Sequence, residues 1–265
     1  MILVIDALNR DRFDSVIDDM FKLRARVFHD RLGWEVSVQD GRERDMFDNL
    51  DPVYLVALDE TYNVVGCNRM LQTTGPHMLT DVFQDILMGE PPLRSATVWE
   101  NTRFCIDTEY LRKPGTSYSA RYAACELMAG ITEYAYDSGI TDIINVVDPT
   151  MDRILKRYHN APYGYLGQTV QMGKTKALAA LGDITEERIA RIRNFAGITG
   201  NIFGDEDEVA EALAARDAEA MMPPEMRAYC DQQIADATTD HEKDAAMRLK
   251  AALVEKLRSR ADVGA

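Results

Sequence analysis

Two apolar runs, Val53 to Leu58 and Val64 to Leu71, flank the polar segment Asp59-Glu60-Thr61-Tyr62-Asn63, and the second run carries Arg69 inside it. Such a pair reads as a β-hairpin of a buried sheet. A buried sheet must then supply a partner or a cleft for that guanidinium, because an unpaired buried charge is strongly destabilising. The same conflict recurs further on. Thr97 to Ile106 reads as a strand through Val98, Trp99, Phe104 and Ile106, yet it contains Glu100 and Arg103. Residues 11 to 29 place Phe13, Val16, Ile17, Met20, Phe21, Leu23, Val27 and Phe28 near helical spacing. They predict an amphipathic helix on which Arg24 shares a face with Phe28, one turn on. These arginines and the acids Glu43, Asp45, Asp48 and Glu100 can satisfy one another as salt bridges between a loop and a sheet, or frame a polar cleft.

The rest of the chain alternates strands with helices. Ser117 or Ser119 can cap a long helix to about Tyr136 with Ala123, Leu127, Ile131 and Tyr134 on one face, and Gly139 ends it. Thr141 to Val147 is β-branched and apolar, Pro149 opens a short helix Met151 to Tyr158, and Tyr163 to Met172 reads as a further strand. This order predicts a three-layer α/β domain over residues 1–182. Beyond Asp183 the texture becomes Ala-, Glu- and Arg-rich, broken by Gly197, Gly200 and Pro223-Pro224, with no strand signal. Residues 183–265 are therefore expected to form a helical C-terminal extension.

Composition narrows the function. Lys and Arg total 30 against 44 Asp and Glu, a net charge of −14, which disfavours nucleic-acid and anionic-membrane partners. The run Met1 to Ile5 is too short for a signal sequence and no later run approaches a membrane span, so a cytoplasmic protein is expected. Cys67, Cys105, Cys125 and Cys230 are scattered without ligand spacing, which argues for reduced, packed thiols and no metal site. Motifs for phosphate-binding loops, dinucleotide folds, serine hydrolysis and zinc proteolysis are absent.

The order of the charged and aromatic residues is more specific. Arg24-x-x-x-Phe28, the segment Phe28-His-Asp-Arg-Leu-Gly-Trp34-Glu-Val, Glu43-x-Asp45-x-x-Asp48, Arg69, Phe83 and Glu100-Asn-Thr-Arg103-Phe closely resemble the LuxI-type acyl-homoserine lactone synthases, the quorum-sensing autoinducer synthases. The resemblance covers residues 1 to about 182. It implies an N-acetyltransferase-like α/β/α fold with a V-shaped cleft in the central sheet. It also implies two substrates, S-adenosylmethionine and an acyl thioester on acyl carrier protein, and no cofactor. Arg24, Asp45, Asp48 and Arg69 would frame the S-adenosylmethionine pocket, some of them touching one another rather than the ligand. Phe28 and Trp34 would be its aromatic walls, with core packing as the alternative, and Phe83 would close the hydrophobic side.

Arginine forks suit a carboxylate and aromatic faces suit a sulfonium, so the chemistry agrees with this assignment. Glu100 is the expected general base, with Arg103 holding it ionised and oriented. Leu127, Met128, Ile144 and Val146 are expected around the acyl group. Asn145 stands where members that prefer 3-oxo chains carry Thr, which argues against that preference. Arg153, Lys156 and Arg157, with Lys174 and Lys176, form a basic patch suited to an acidic carrier, or a solvated helix face. An acyl-CoA-dependent N-acyltransferase is the nearest competing reading, although the stretch from Leu111 to Arg121 offers only Gly115 for a pyrophosphate turn. A non-catalytic S-adenosylmethionine sensor is the other.

Overall fold

The hairpin around Asp59 forms the second and third strands of a seven-stranded sheet. The computed structural model describes residues 1–113 and 118–262. Its strands are β1 (Ile2–Ile5), β2 (Val38–Gln39), β3 (Arg42–Glu43), β4 (Val53–Leu58), β5 (Val64–Gln72), β6 (Val98–Ile106), β7 (Asp142–Val147), β8 (Gly164–Met172) and β9 (Thr175–Asp183). The main sheet runs β1-β4-β5-β6-β7-β9-β8, while β2 and β3 make a separate ribbon. Helices are α1 (Asp14–Arg24), α2 (Met78–Asp81), α3 (Ala120–Asp137), α4 (Pro149–Arg157), α5 (Glu186–Ala196), α6 (Glu206–Ala220), α7 (Pro224–Asp236) and α8 (Asp240–Asp262).

Every neighbouring pair in the main sheet is antiparallel except β6 and β7. That parallel pairing joins Val98–Asn101 to Asp142–Asn145 and then stops, although both strands continue. The sheet therefore opens after Asn101 and Asn145, and this is the V-shaped cleft anticipated from the family resemblance. One face of the sheet is covered by α3, whose Leu127, Met128 and Ile131 pack with Leu55, Met70 and Ile143. Ser119 caps this helix by accepting from Tyr122 N, and Gly139, at φ 73°, ends it. Ser117 and Gly115 lie outside the described residues. The helix sits so close to β1 that a Cβ at Gly130 would lie 3.0 Å from Ile2. The other face carries α1.

One local expectation needs correction, and one strand was not anticipated. The helix expected over 11–29 is regular only in α1; residues Ala25–Arg31 widen into a π-helix in which Leu32 N donates to Val27 O. Strand β9 carried no strand signal because Thr175–Asp183 is rich in alanine, and it is the pairing with β7 and β8 that fixes it extended.

The chain clusters into two compact units, Met1–Gly204 and the residues from Asp205 onward, so the structural division falls later than the expected one at 182/183. The segment after α5 belongs to the first unit because it runs beside β1: Ile2 N donates to Ile202 O at 2.7 Å and Gly204 N to Ile2 O at 3.0 Å. The second unit comprises α6, α7 and α8. Lys250 of α8 holds Glu219 of α6 at 2.6 Å and Asp231 of α7 at 2.9 Å. No helix among the described residues is long and apolar enough to cross a membrane.

Candidate active site

Arg24, at the last turn of α1, is wholly buried, and each nitrogen of its guanidinium donates to a carboxylate. Nε donates to Glu43 at 2.6 Å, while Nη1 and Nη2 donate to the two oxygens of Asp48 at 2.7 and 2.9 Å. Asp48 reaches this position because it shares a capping box with Asp45 across the turn Met46–Asn49. It also accepts from Tyr54 Oη at 2.7 Å and Arg69 Nη1 at 2.8 Å. Tyr54 and Arg69 are directly opposite across β4 and β5. Arg69 forks onto Asp45 at 2.5 and 2.9 Å, and its Nε donates to Thr102 at 2.9 Å.

Arg103 completes the network. Its Nη2 donates to Glu43 at 3.0 Å and to Asp45 at 2.7 Å. Strict alternation along β6 would turn Arg103 to the α3 face with Trp99 and Asn101. A register shift opposite Cys67–Arg69, with Arg103 at φ 55°, turns it to the α1 face instead. The bulge thus re-aims one side chain, at the cost of left-handed backbone in a residue other than glycine.

Three guanidinium groups and the carboxylates of Glu43, Asp45 and Asp48 therefore neutralise one another. Burial works most strongly against a charged Asp48, yet Arg24 and Arg69 hold its carboxyl well below the usual carboxylate range. Burial likewise opposes charge on Arg24, and Asp48 and Glu43 more than restore it. Side-chain exposure decides which members can meet a ligand: Arg24, Arg69, Glu43 and Asp48 show 0%, but Asp45 shows 18% and Arg103 11%. Arg24, Asp48 and Arg69 are the frame, and Asp45 and Arg103 are its accessible edge.

Phe28 and Trp34 stack with centroids 5.2 Å apart and planes at 15°. The Arg103 guanidinium lies 5.7 Å from the Phe28 centroid. Phe28 is buried at 3% exposure and belongs to the core, whereas Trp34, at 40%, offers an open ring. The π-helix and Trp34 N, which donates to Phe28 O at 2.9 Å, hold the two rings together.

Glu100 is fully buried on the same face of β6 as Thr102, and its partners correct the expectation placed on Arg103. Oε2 accepts from Met78 N and Oε1 from Leu79 N, both at 2.7 Å, at the start of α2. Arg103 is aimed by its bulge at Glu43 and Asp45 instead. Burial is the main influence on Glu100 and pushes its pKa up to about 7, against the pull of the two amides and Arg69. Met78 ties Glu100 to the network, since its sulfur lies 3.4 Å from Arg69 Nη2 and 3.5 Å from Arg103 Nη1.

The remaining expected residues are spread around this centre. Phe83 packs on Phe47, Leu71 and Met78 and also on the cluster of Leu79, Ile86, Val98 and Ile144. Asn145 stands at the cleft, as the last residue of β7 to pair with β6. The four acyl-pocket candidates do not converge: Leu127 and Met128 belong to the α3 core, while Ile144 and Val146 pack with Leu79 and Ile86. Alternation along β7 explains the division. Arg153, Lys156 and Arg157 are exposed on α4, and Lys174 and Lys176 on the β8–β9 hairpin. Lys156 is engaged by Asp152 at 2.7 Å.

Sequence reasoning missed Tyr54, Thr102 and the Met78 and Leu79 amides. A tyrosine and a threonine within apolar strands flanking Arg69 were a legible signal; main-chain donors left none.

With this geometry in hand, comparison with known proteins is decisive. Residues 8–192 match the autoinducer synthase family. The chain belongs to that family. An acyl-homoserine-lactone synthase of Agrobacterium fabrum is 39% identical over 179 residues, 67% of this chain and 83% of the relative. One from Rhizobium etli is 36% identical over 193 residues, 72% of this chain and 87% of the relative. Among solved structures, the CoA-dependent acyl-homoserine lactone synthase BjaI, with S-adenosylmethionine and isopentyl-CoA, superposes with TM-score 0.68 at 27% identity. That superposition covers 80% of this chain and 98% of BjaI. The synthase LasI gives TM-score 0.62 at 27% identity, over 73% of this chain and 94% of LasI. Autoinducer synthases are acyltransferases, and this chain is one by membership.

Proposed function

We propose that the protein acylates the amine of S-adenosylmethionine with an acyl group delivered on acyl carrier protein, closes the lactone and releases methylthioadenosine. One observation carries this reading: Met78 links Glu100 to a charge-balanced frame whose open edge consists of Asp45 and Arg103, beside the exposed ring of Trp34. Asp45 suits the substrate ammonium, Arg103 its carboxylate and Trp34 its sulfonium. The reaction written this way uses S-adenosylmethionine as a substrate and calls for no cofactor.

Acylation requires the neutral amine. Glu100, whose carboxyl titrates at about 7, takes the proton directly or through one water as nitrogen attacks the thioester carbonyl. The tetrahedral intermediate collapses, the C–S bond to the carrier breaks, and the carrier thiolate takes up a proton. In the second step the methionine carboxylate attacks its own γ-carbon. The C–S bond to the sulfonium breaks and its electron pair stays on sulfur, giving neutral methylthioadenosine. Positioning dominates this step, because the nucleophile and leaving group are already competent.

The choice of carrier rests on Arg153 and Arg157, exposed and four residues apart on α4, and on Lys174 and Lys176, exposed on the β8–β9 hairpin. The test combines purified protein, S-adenosylmethionine and either acyl carrier protein or acyl-CoA of the same chain, followed by mass spectrometry. Acyl-homoserine lactone and methylthioadenosine formed faster from the carrier are expected. Faster turnover of acyl-CoA would replace the carrier assignment, and S-adenosylmethionine binding with no methylthioadenosine from either donor would make the protein a sensor.

A further inference from the structure

Strand β5 ends at Gln72, and the chain turns through Thr73-Thr74-Gly75-Pro76 to reach α2, where Met78 N and Leu79 N meet Glu100. His77 stands at this junction. Its side chain is fully buried, yet neither the ionic network nor the chemistry proposed above uses it. Nδ1 lies 3.0 Å from Gly75 O, and a carbonyl only accepts, so Nδ1 carries the ring proton. Nε2 has no hydrogen-bond partner among the described residues. Burial is the main influence on the ring and lowers its pKa; the Arg94 charge acts the same way and Asp81 opposes it. The neutral form, with Nε2 a bare acceptor, is therefore the favoured one.

These contacts lock one turn of backbone. Exposed Arg94 donates from Nη1 to Gly75 O at 2.9 Å, so the carbonyl that receives the imidazole is itself held. On the other side, His77 N donates to Asp81 Oδ2 at 2.9 Å, and His77 O accepts from Asp81 N at 3.1 Å. The next two amides along the chain are those that reach Glu100, both at 2.7 Å. Helix α2 is four residues long, too short to hold its orientation by its own hydrogen bonds. The anchored imidazole behind it supplies that hold, and a rotation of the turn would take both amides off the carboxylate together.

We propose that His77 is a positioning residue for acyl transfer: its Nδ1–H bond to Gly75 O fixes the turn from Gly75 to Asp81 and so keeps the Met78 and Leu79 amides on Glu100. This rests on the synthase reading, in which Glu100 takes the proton of the substrate amine. The two amides favour the ionised carboxyl, as does Arg69 of β5, against burial and the charge of Asp81 on α2. The strand neighbours directly beside Glu100, Leu71 of β5 and Ile144 of β7, are apolar and add no charge. The amides are thus the part of this balance that a loosened turn removes. Without the imidazole, more of Glu100 is protonated at neutral pH and fewer molecules hold a competent base.

The test is the pH profile of lactone formation with S-adenosylmethionine and acyl donor saturating. His77→Phe keeps a ring and loses the donor, and His77→Gln carries its amide at the Nε2 position. His77→Asn restores a donor near the Nδ1 position. In His77→Phe and His77→Gln the rising limb is expected to move up by about one pH unit, the scale on which hydrogen bonds to a carboxylate act. Turnover at pH 6 then falls about tenfold, while the plateau above pH 9 stays within about twofold of wild type. His77→Asn is expected to keep the wild-type limb, and either of the other two variants suffices if its companion fails to fold. A lowered plateau with the limb in place is what damage to the fold alone produces, and it overturns the proposal. So does a limb that moves as far in His77→Asn as in His77→Phe. Lactone formation with an unmoved limb in the folded variants overturns the role of His77 and leaves the synthase reading standing. Absence of any lactone or methylthioadenosine from the wild type overturns both.

Discussion

Met78 and Glu100 are joined by a 2.7 Å hydrogen bond from the main-chain amide to Oε2, while the Met78 sulfur rests 3.5 Å from Nη1 of Arg103. Glu100 and the ionic frame are therefore coupled through one residue that no charge pattern marks. Glu100 is poised by burial, with two amides opposing the rise. This gives it a carboxyl that is substantially ionised, yet basic, near neutral pH.

Glu100→Gln is expected to lower acyl transfer by roughly 10²–10⁴-fold, the range for loss of a general base. In the wild type, turnover should rise with pH through about 7 as the carboxyl loses its proton, and the variant should lack that limb. Stability moves the other way. The folded carboxyl titrates at about 7 against 4.5 as the ordinary value, so its contribution is present below 4.5 and is lost as pH rises to about 7. Urea denaturation at pH 5 and pH 8 should show a larger fall for wild type than for Glu100→Gln. Equal falls, or a rate profile unchanged by the substitution, would remove Glu100 from the role.

Arg24 is a stability residue on this geometry. Replacing it with Ala leaves Asp48 and Glu43 buried with fewer counter-charges, and loss of about 3–5 kcal/mol is expected, the range for breaking a buried pair. Arg42, paired with Asp18 at the surface, is the control, and Arg42→Ala should barely move the urea midpoint. Similar midpoints for the two variants would show that the network is not what holds the loop of residues 43–48 to the sheet.

Much of this was legible in the chain itself. Arg69 between apolar neighbours signalled a buried partner, and Glu43, Asp45 and Asp48 at close spacing were the carboxylates available to it. The hairpin, the long helix α3 and the break at Gly139 followed from periodicity and turn chemistry. What stayed hidden depends on register. The bulge that turns Arg103 away from Glu100 is set by pairing between β5 and β6, and no local residue pattern encodes it. Strand β9 is extended only because β7 and β8 flank it. The division of Leu127 and Met128 from Ile144 and Val146 follows from alternation once the strand direction is known, and the chain alone does not say which face meets which helix.

Phe28 and Trp34 are stacked, yet they should respond differently to truncation. Trp34 is the exposed ring, at 40%, and Trp34→Ala removes a surface that a sulfonium can meet. Its affinity for S-adenosylmethionine, measured by titration calorimetry, is expected to fall by about 3- to 30-fold, the span of a cation–π contact, with little change in melting temperature. Phe28 is buried at 3%, and Phe28→Ala should destabilise the fold by about 3–5 kcal/mol as a core aromatic truncation. Unchanged affinity in Trp34→Ala would assign the ring to shielding Phe28 alone.

Arg157 separates carrier docking from a merely solvated helix face. It is exposed on α4, one turn after Arg153, and Lys156 beside it is already engaged by Asp152. An acidic carrier approaching this face would be steered by the exposed Arg157 charge, and rim charges act mainly on association rate and salt dependence. Arg157→Glu should therefore raise the KM for acyl carrier protein several-fold at low salt while leaving kcat near wild type. The gap should narrow as ionic strength shortens the Debye length from about 10 Å at 0.1 M to about 3 Å at 1 M. With acyl-CoA as donor, any effect should be smaller, since its charge is compact and need not lie over α4. A KM for the carrier that stays the same at both salt concentrations would make the α4 patch an ordinary solvated surface and place docking elsewhere on the molecule.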